Sequence, residues 1–400
     1  MQLLLAIGSL TVMTGAVIAP NLPEIIAQLK FDPAIAGTLV SVHFLSVALS
    51  VPLFGILADT IGALPVLVPA LVLYGLFGVG GAAMTSLGAL VTMRVLLGVA
   101  TGGITAASLG LMGKLYRGES RAQVLAYASS VISLANVVYP LLGGWIGSFH
   151  WQWAFYLYGV GWPLAVLALI AFQNMRPAIA FADVDVDVDV DVDGATGAIA
   201  PPSGQLLGLL RNPQTLRLLL ALGMTSGTVY AIIVYVPLYL RTTLTASTLT
   251  IGIVLASKAM GATLIAAFGV RPLAKHWGSQ RAIALGYGIM AVALMLFPQL
   301  HHIELIVPTA LLFGTGFGIV VPMLYGLLSD QALIHLQSSI LAAGTGSGFL
   351  GQFLSPLLLA PVFARVGLSG IFYVIAAIVG VIAFLALYRF GPSDTPLTPL

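Results

Sequence analysis

The sequence predicts an all-α membrane protein: twelve transmembrane helices in two pseudo-symmetric bundles of six. Three observations carry this. Charged residues make up only 7% of the 400 residues, against 59% hydrophobic, whereas soluble domains carry roughly 25% charged residues. Apolar runs long enough for a ~30 Å hydrocarbon core, which takes about 20 residues of helix, recur twelve times. The second six runs then repeat landmarks of the first at a nearly constant offset.

The runs lie at about 3–27, 34–58, 64–84, 87–112, 122–147, 152–173, 214–240, 248–271, 281–299, 303–328, 336–363 and 368–390. In lipid every backbone polar group needs an internal partner, so each run should be a helix. The alternating segments of a closed barrel are absent. The first run follows Met1-Gln2 with no basic segment before it and is long, so it reads as a span rather than a cleaved leader. Pro20, Pro23, Pro52, Pro140, Pro237, Pro322 and Pro356 should kink or locally unwind their helices.

The longest link, 174–213, divides the runs six and six. This gives an N-terminal bundle over 1–173 and a C-terminal bundle with a short tail over 214–400. The link holds alternating Asp and Val from Asp183 to Asp193, then a Gly/Ala/Pro stretch. Like charges at that density repel, and no second strand is available to pair, so the tract reads as a solvated linker. It lacks the glycine turn and closing Glu of an EF-hand loop.

Loop charges orient the chain. With the N-terminus inside, the cytoplasmic links and tail hold Lys114, Arg117, Arg121, Arg176, Arg211, Arg217, Arg271, Lys275, Arg281 and Arg389, and the outer links hold only Lys30, Arg241 and Arg365. Both termini are thus expected in the cytoplasm. The absence of cysteine excludes disulfides and thiolate metal sites. The net charge of +2 says little, because much of the acid sits in one tract.

The internal repeat is read from paired landmarks. Leu57, Asp59 and Gly62 correspond to Leu273, Lys275 and Gly278 at an offset of 216. Gly98 and Gly102 correspond to Gly314 and Gly318, Asn136 to Gln352 and Pro140 to Pro356, all at 216, and Phe155-Tyr156 to Phe372-Tyr373 at 217. The stretch Gly55-Ile-Leu-Ala-Asp-Thr-Ile-Gly62 resembles the hairpin between helices 2 and 3 of the major facilitator superfamily, G-x-L-A-D-x-x-G-R-K. Gly55, Leu57, Ala58, Asp59 and Gly62 match, while Thr60, Ala63 and Leu64 stand where that family usually has basic residues. The resemblance implies two parallel six-helix bundles and a cytoplasmic gate at Gly55, Asp59 and Gly62, with Lys275 and Gly278 as its echo.

Several residues in the spans carry chemistry. Arg94 begins Arg94-Val-Leu-Leu-Gly98, which resembles the family's R-x-x-x-G pattern, where the arginine faces the central cavity and is implicated in proton coupling or anion contact. The alternative is an arginine that packs and snorkels. His43 and Lys258 lie in mid-span at an offset of 215. An intramembrane lysine is a functional candidate by default; a lone histidine is more often a packing residue, but suits a proton relay if it meets water. Asn136 and Gln352 either bond across helices or line a cavity. Tyr230 and Tyr235 offer aromatic faces and hydroxyls to a ligand. Glu24, Asp59, Glu304 and Asp330 are all near span ends, so the deep formal charge is positive. That tilts the substrate towards neutral or anionic molecules.

The run Asn136-Val-Val-Tyr-Pro140-Leu-Leu-Gly143-Gly144 resembles the G-P-x-x-G-G motif of bacterial drug:proton antiporters, with Tyr139 and Ala135 in place of two glycines. Trp151-Gln-Trp-Ala-Phe155 resembles the W-R-W-x-F segment of the same efflux permeases, with Gln152 in place of Arg. Such helices also arise from packing alone. Gly346-Ser-Gly-Phe-Leu-Gly351 fits a dinucleotide fingerprint only in spacing, since no strand precedes it. His301, His302 and Glu304 do not make a zinc motif, and no Walker A sequence occurs.

The resemblance therefore implies a secondary active transporter working by alternating access, with proton-coupled efflux of a small organic molecule. It implies a multi-pass monomer in a bacterial-type inner membrane, with lipid, substrate and protons as partners and no nucleic acid. No metal or cofactor is called for, and no nucleophile–base or carboxylate–metal set for an enzyme is visible. A uniporter or metabolite importer, or a non-transporting receptor, are the other readings.

Overall fold

Helix is what a bilayer demands of these runs, and helix is what they form. The computed structural model describes residues 1–116, 118–173, 208–332 and 336–389, and among the described residues there is no strand. The Asp/Val tract and most of the link around it lie outside the described residues.

Eleven stretches among the described residues are long and apolar enough to cross a membrane. They are Gln2–Leu29, Ala36–Ile61, Ala63–Ala83, Leu87–Gly113, Ala126–Gly147, Trp153–Phe172, Pro213–Leu244, Thr248–Phe268, Val270–Gln299, Ile303–Asp330 and Ser339–Leu387. The last has 49 residues. At 1.5 Å per residue that is about 73 Å, more than twice the hydrocarbon core. It belongs to the helix Gln337–Arg389, which Gly367 breaks with φ 69°. Its two arms are the eleventh and twelfth spans of the sequence reading.

The repeat is written into the backbone. Gly62 (φ 94°, ψ 153°) and Gly278 (φ 77°, ψ 157°) turn the chain the same way at the two L-A-x-x-x-G hairpins. Only glycine adopts that conformation without steric cost. The two non-glycine residues with positive φ, Lys30 at 52° and Thr245 at 50°, end the first and seventh spans, again 215 residues apart. Short 3-10 turns at Gly81–Ala83 and Phe297–Gln299 close the third and ninth spans.

Prolines act unequally. Around Pro20 the first span breaks into a helix Gln2–Ala16, a 3-10 turn Ala19–Asn21 and a helix Leu22–Leu29. The helices carrying Pro52, Pro140, Pro237 and Pro322 run on without a break, contrary to the local unwinding that the sequence allowed. Neighbouring groups can re-satisfy a single freed carbonyl, so one proline need not end a buried helix.

The chain divides into two compact units. The first comprises Met1–Ala198 with Ile233–Ala256 and Pro356–Ala360, and the second Ile199–Ile232, Ser257–Ser355 and Pro361–Leu400. Glycines set the close helix approaches inside each. In the first, a Cβ on Gly98 would lie 2.6 Å from the His43 carbonyl oxygen and 2.7 Å from Ser46 Cβ. In the second, a Cβ on Gly314 would overlap the Lys258 carbonyl oxygen. The same crossing is thus built twice, with His43 and Lys258 at equivalent places. Hydroxyls bind the seventh span to the eleventh inside the second unit: Ser347 Oγ donates to Leu219 O at 2.7 Å and Ser355 Oγ to Gly227 O at 2.8 Å.

Candidate functional site

The first unit holds a buried polar cluster, and the break in the first span creates it. A helix end leaves its last carbonyls without partners in the helix. Where Gln2–Ala16 ends, the Thr14 carbonyl is such a group, and it accepts from Arg94 Nη1 at 2.6 Å and from Tyr158 Oη at 2.8 Å. Arg94 Nη1 also donates to Tyr158 Oη at 3.3 Å. The Thr14 hydroxyl donates to Leu10 O at 3.1 Å and lies 3.3 Å from Thr101 Oγ1. Tyr74 Oη donates to Leu10 O at 3.0 Å. A cation at the carbonyl end of a helix is favoured by the helix dipole.

That arrangement only partly compensates Arg94, which is 1% exposed. Burying an ion costs several kcal/mol after relaxation, and a hydrogen bond to a charged group returns about 1.5–3 kcal/mol. Both of its bonds fall on Nη1, while Nε and Nη2 have no hydrogen-bond partner among the described residues. His43, also 1% exposed, packs beside this cluster: a Cβ on Gly15, the residue after Thr14, would lie 3.5 Å from its Cε1. His43 Nδ1 bonds the Val40 carbonyl, and Nε2 has no hydrogen-bond partner among the described residues.

The other candidates are placed separately. Lys258 is half-buried in the second unit, and no side-chain partner for its ammonium occurs among the described residues. Gln352 is half-buried in the second unit, and Asn136 is exposed in the first with Nδ2 donating to Ile132 O of its own helix at 2.9 Å. Tyr230 and Tyr235 are both buried, but they belong to the second and first units respectively. Asp59 and Lys275 are exposed at helix ends, each three residues before its positive-φ glycine, and Gly55 faces open space.

The proline-glycine motif of the fifth span makes close contacts. Cβ atoms on Gly143 and Gly144 would lie 2.8 Å from Val17 Cα and 2.7 Å from Thr248 O, and one on Gly252 would lie 2.6 Å from Pro140 O. Asn21 Nδ2 donates to Gly143 O at 3.0 Å, tying the unwound first span to this motif. Pro356 packs on Gly37. Gln152, which stands where the resemblance has an arginine, donates to Ala82 O at 2.9 Å.

Sequence reasoning missed Thr14, Thr101, Tyr74 and Tyr158. Pro20 was the available signal for Thr14, because an unwound helix frees carbonyls one turn earlier. Nothing in the local sequence marks which phenol reaches them.

Comparison with known proteins now bears on this architecture. The family model described as Major Facilitator Superfamily matches residues 4–356. The multidrug transporter protein MdtP of Bacillus subtilis (strain 168) is 26% identical over 159 residues, 40% of this chain and 29% of that protein. The multidrug export protein EmrB of Haemophilus influenzae is 32% identical over 111 residues, 28% of this chain and 22% of its own length. The matches thus span less than a third of each of these relatives. Among solved structures, an inward-facing, unoccupied bacterial homologue of the human lysosomal transporter Spinster superposes with a TM-score of 0.77 at 16% identity, covering 97% of this chain and 96% of that one. A POT family transporter in complex with 5-aminolevulinic acid gives 0.75 at 13% identity, covering 96% and 95%. With eleven apolar stretches long enough to span among the described residues, a twofold internal repeat and a family match over most of its length, the chain belongs to the Major Facilitator Superfamily of membrane transporters.

Proposed function

We propose that this transporter exports a small neutral or anionic organic molecule in exchange for protons. It alternates access between two six-helix halves, 1–173 and 214–400, joined by the cytoplasmic link 174–213, with both termini inside. The observation that carries the substrate class is the sign of the deep charge. Arg94 and Lys258 lie within the spans, whereas Glu24, Asp59, Glu304 and Asp330 lie near span ends. A cationic substrate would meet fixed positive charge without a carboxylate to bind it. The efflux direction is supported by the names of the relatives and by the fifth-span motif.

The test is transport into proteoliposomes with an acidic lumen, using fluorescein as an anionic probe, an uncharged dye as a neutral one and ethidium as a cationic contrast. Exchange for protons accumulates the neutral or anionic probe, and a protonophore abolishes the accumulation. Preference for ethidium would overturn the substrate class. Equilibration that ignores the pH gradient would favour the second reading, a uniporter, which the scarcity of deep carboxylates also supports.

A further inference from the structure

We propose that His43 Nε2 is the proton-accepting atom of the transport cycle and that Arg94 is the positioning residue that makes its occupancy depend on conformation; this rests on the proton-exchange reading above. The geometry identifies the atom. A carbonyl can only accept, so the Nδ1 contact to Val40 O requires the proton on Nδ1 and leaves the lone pair on Nε2. That lone pair is buried and has no donor among the described residues. An unpaired base inside an apolar bundle is a costly feature to retain, which calls for a role.

The neighbours explain how the site is switched. The first span packs on the ring through Gly15, and the fourth packs on the residue through Gly98 and carries Arg94. The titratable and charged groups around the ring are the Arg94 guanidinium from the fourth span and the Tyr158 and Tyr74 phenols from the sixth and third, which are bonded to Thr14 and Leu10 carbonyls. No carboxylate belongs to this set, and Glu24 and Asp59 stand near the ends of their spans. In this structure Arg94 is held at Thr14, with Nε and Nη2 unbonded among the described residues. A second cation beside it without water or counter-charge is disfavoured. Protonation of Nε2 therefore requires the first and fourth spans to admit water. A proton from outside water adds to the lone pair and gives an imidazolium. On return to the cytoplasmic side, Nε2 loses that proton to water, and the neutral Nδ1–H ring is restored.

Thiol labelling tests this without knowledge of the substrate, because the chain has no cysteine. Ser46, buried one turn beyond His43, becomes the reporter as Ser46→Cys, and its alkylation by N-ethylmaleimide is followed in proteoliposomes between pH 6 and 8 as a ratio to that of a cysteine at exposed Thr243, which cancels the thiolate's own pH dependence. One proton bound by one state alone shifts a two-state ratio by up to about tenfold per pH unit, so this alkylation ratio should change by about tenfold or more. In His43→Asn, whose amide can still reach Val40 O but has no Nε2, and in His43→Gln the change should fall below about twofold. A flat profile in the His43 parent would sink the proton-exchange reading and this assignment with it. A steep profile that persists in both variants would refute the assignment alone. Should both variants fail to fold, ring-nitrogen NMR of a chain in which His150, His276, His301, His302 and His335 are replaced reads His43 directly. An Nε2 that gains no proton between pH 5 and 9 overturns the proposal, and one that gains it in step with the alkylation profile upholds it.

Discussion

Substitution of Gly314 by alanine probes the packing that defines each unit. The new Cβ would overlap the Lys258 carbonyl oxygen, and would lie 2.7 Å from its carbon and 3.1 Å from Ala262 N. Ordinary carbon–carbon contacts are about 3.5–4.0 Å, so the eighth and tenth spans would have to part by roughly 1 Å. All three atoms are backbone, so no rotamer change relieves the clash. Overpacking costs typically about 1–3 kcal/mol, and a backbone-only clash belongs at the upper end. Gly326→Ala in the same helix meets nothing within 4 Å and serves as the control. The helix-propensity gain of about 1 kcal/mol is common to both substitutions. The difference between them is therefore the clash itself, about 2–3 kcal/mol, or roughly 30- to 160-fold in a rate. The assay is the half-life of monodisperse protein at fixed temperature in one detergent, a kinetic measure suited to irreversible unfolding. Gly98→Ala, with its closest neighbours at 2.6 and 2.7 Å, should lose somewhat less. Equal half-lives for Gly314→Ala and Gly326→Ala would refute this account of the crossing.

Three further outcomes are expected. Arg94→Met should abolish pH-driven transport yet raise thermal stability, since replacing a buried, partly unpaired ion by an apolar side chain gains about 1–4 kcal/mol in comparable cases; lower stability would mean that its bonds to Thr14 and Tyr158 outweigh desolvation. Asp59→Asn should shift alkylation of a cysteine at buried Ser50 by about tenfold while leaving probe affinity unchanged, because a charge-assisted bond of ~1.5–3 kcal/mol biases two states by at least that factor; lost affinity with unchanged labelling would put Asp59 in a binding site. Arg241 Nη2 bonds Glu24 Oε1, with side chains 42% and 27% exposed. A double-mutant cycle on this pair should give about 0.2–1 kcal/mol and decline with salt, and a coupling above about 2 kcal/mol insensitive to salt would show that the pair works out of reach of water.

The spans, the repeat and the turn glycines were legible in the sequence. Hydropathy over twenty residues is a local property, and in lipid it leaves the backbone no choice but helix. The offset of 216 that pairs Gly62 with Gly278 reappears as two nearly equal positive-φ turns, because a residue without Cβ is the cheap solution for that geometry. The equivalence of His43 and Lys258 was likewise visible, and each supplies a carbonyl to the glycine crossing. What only the tertiary structure decided is which way each side chain points. Arg94 reaches the Thr14 carbonyl, Tyr158 joins it, and the prolines of the second, fifth, seventh and tenth spans leave those helices unbroken. A soluble helix announces its inner face by a stripe of apolar residues; a helix in lipid is apolar all round, since hydrocarbon and protein interior are alike to it. The partner face is then chosen by close packing at small residues and by which freed carbonyl a buried donor can reach, and both depend on helices far apart in the chain.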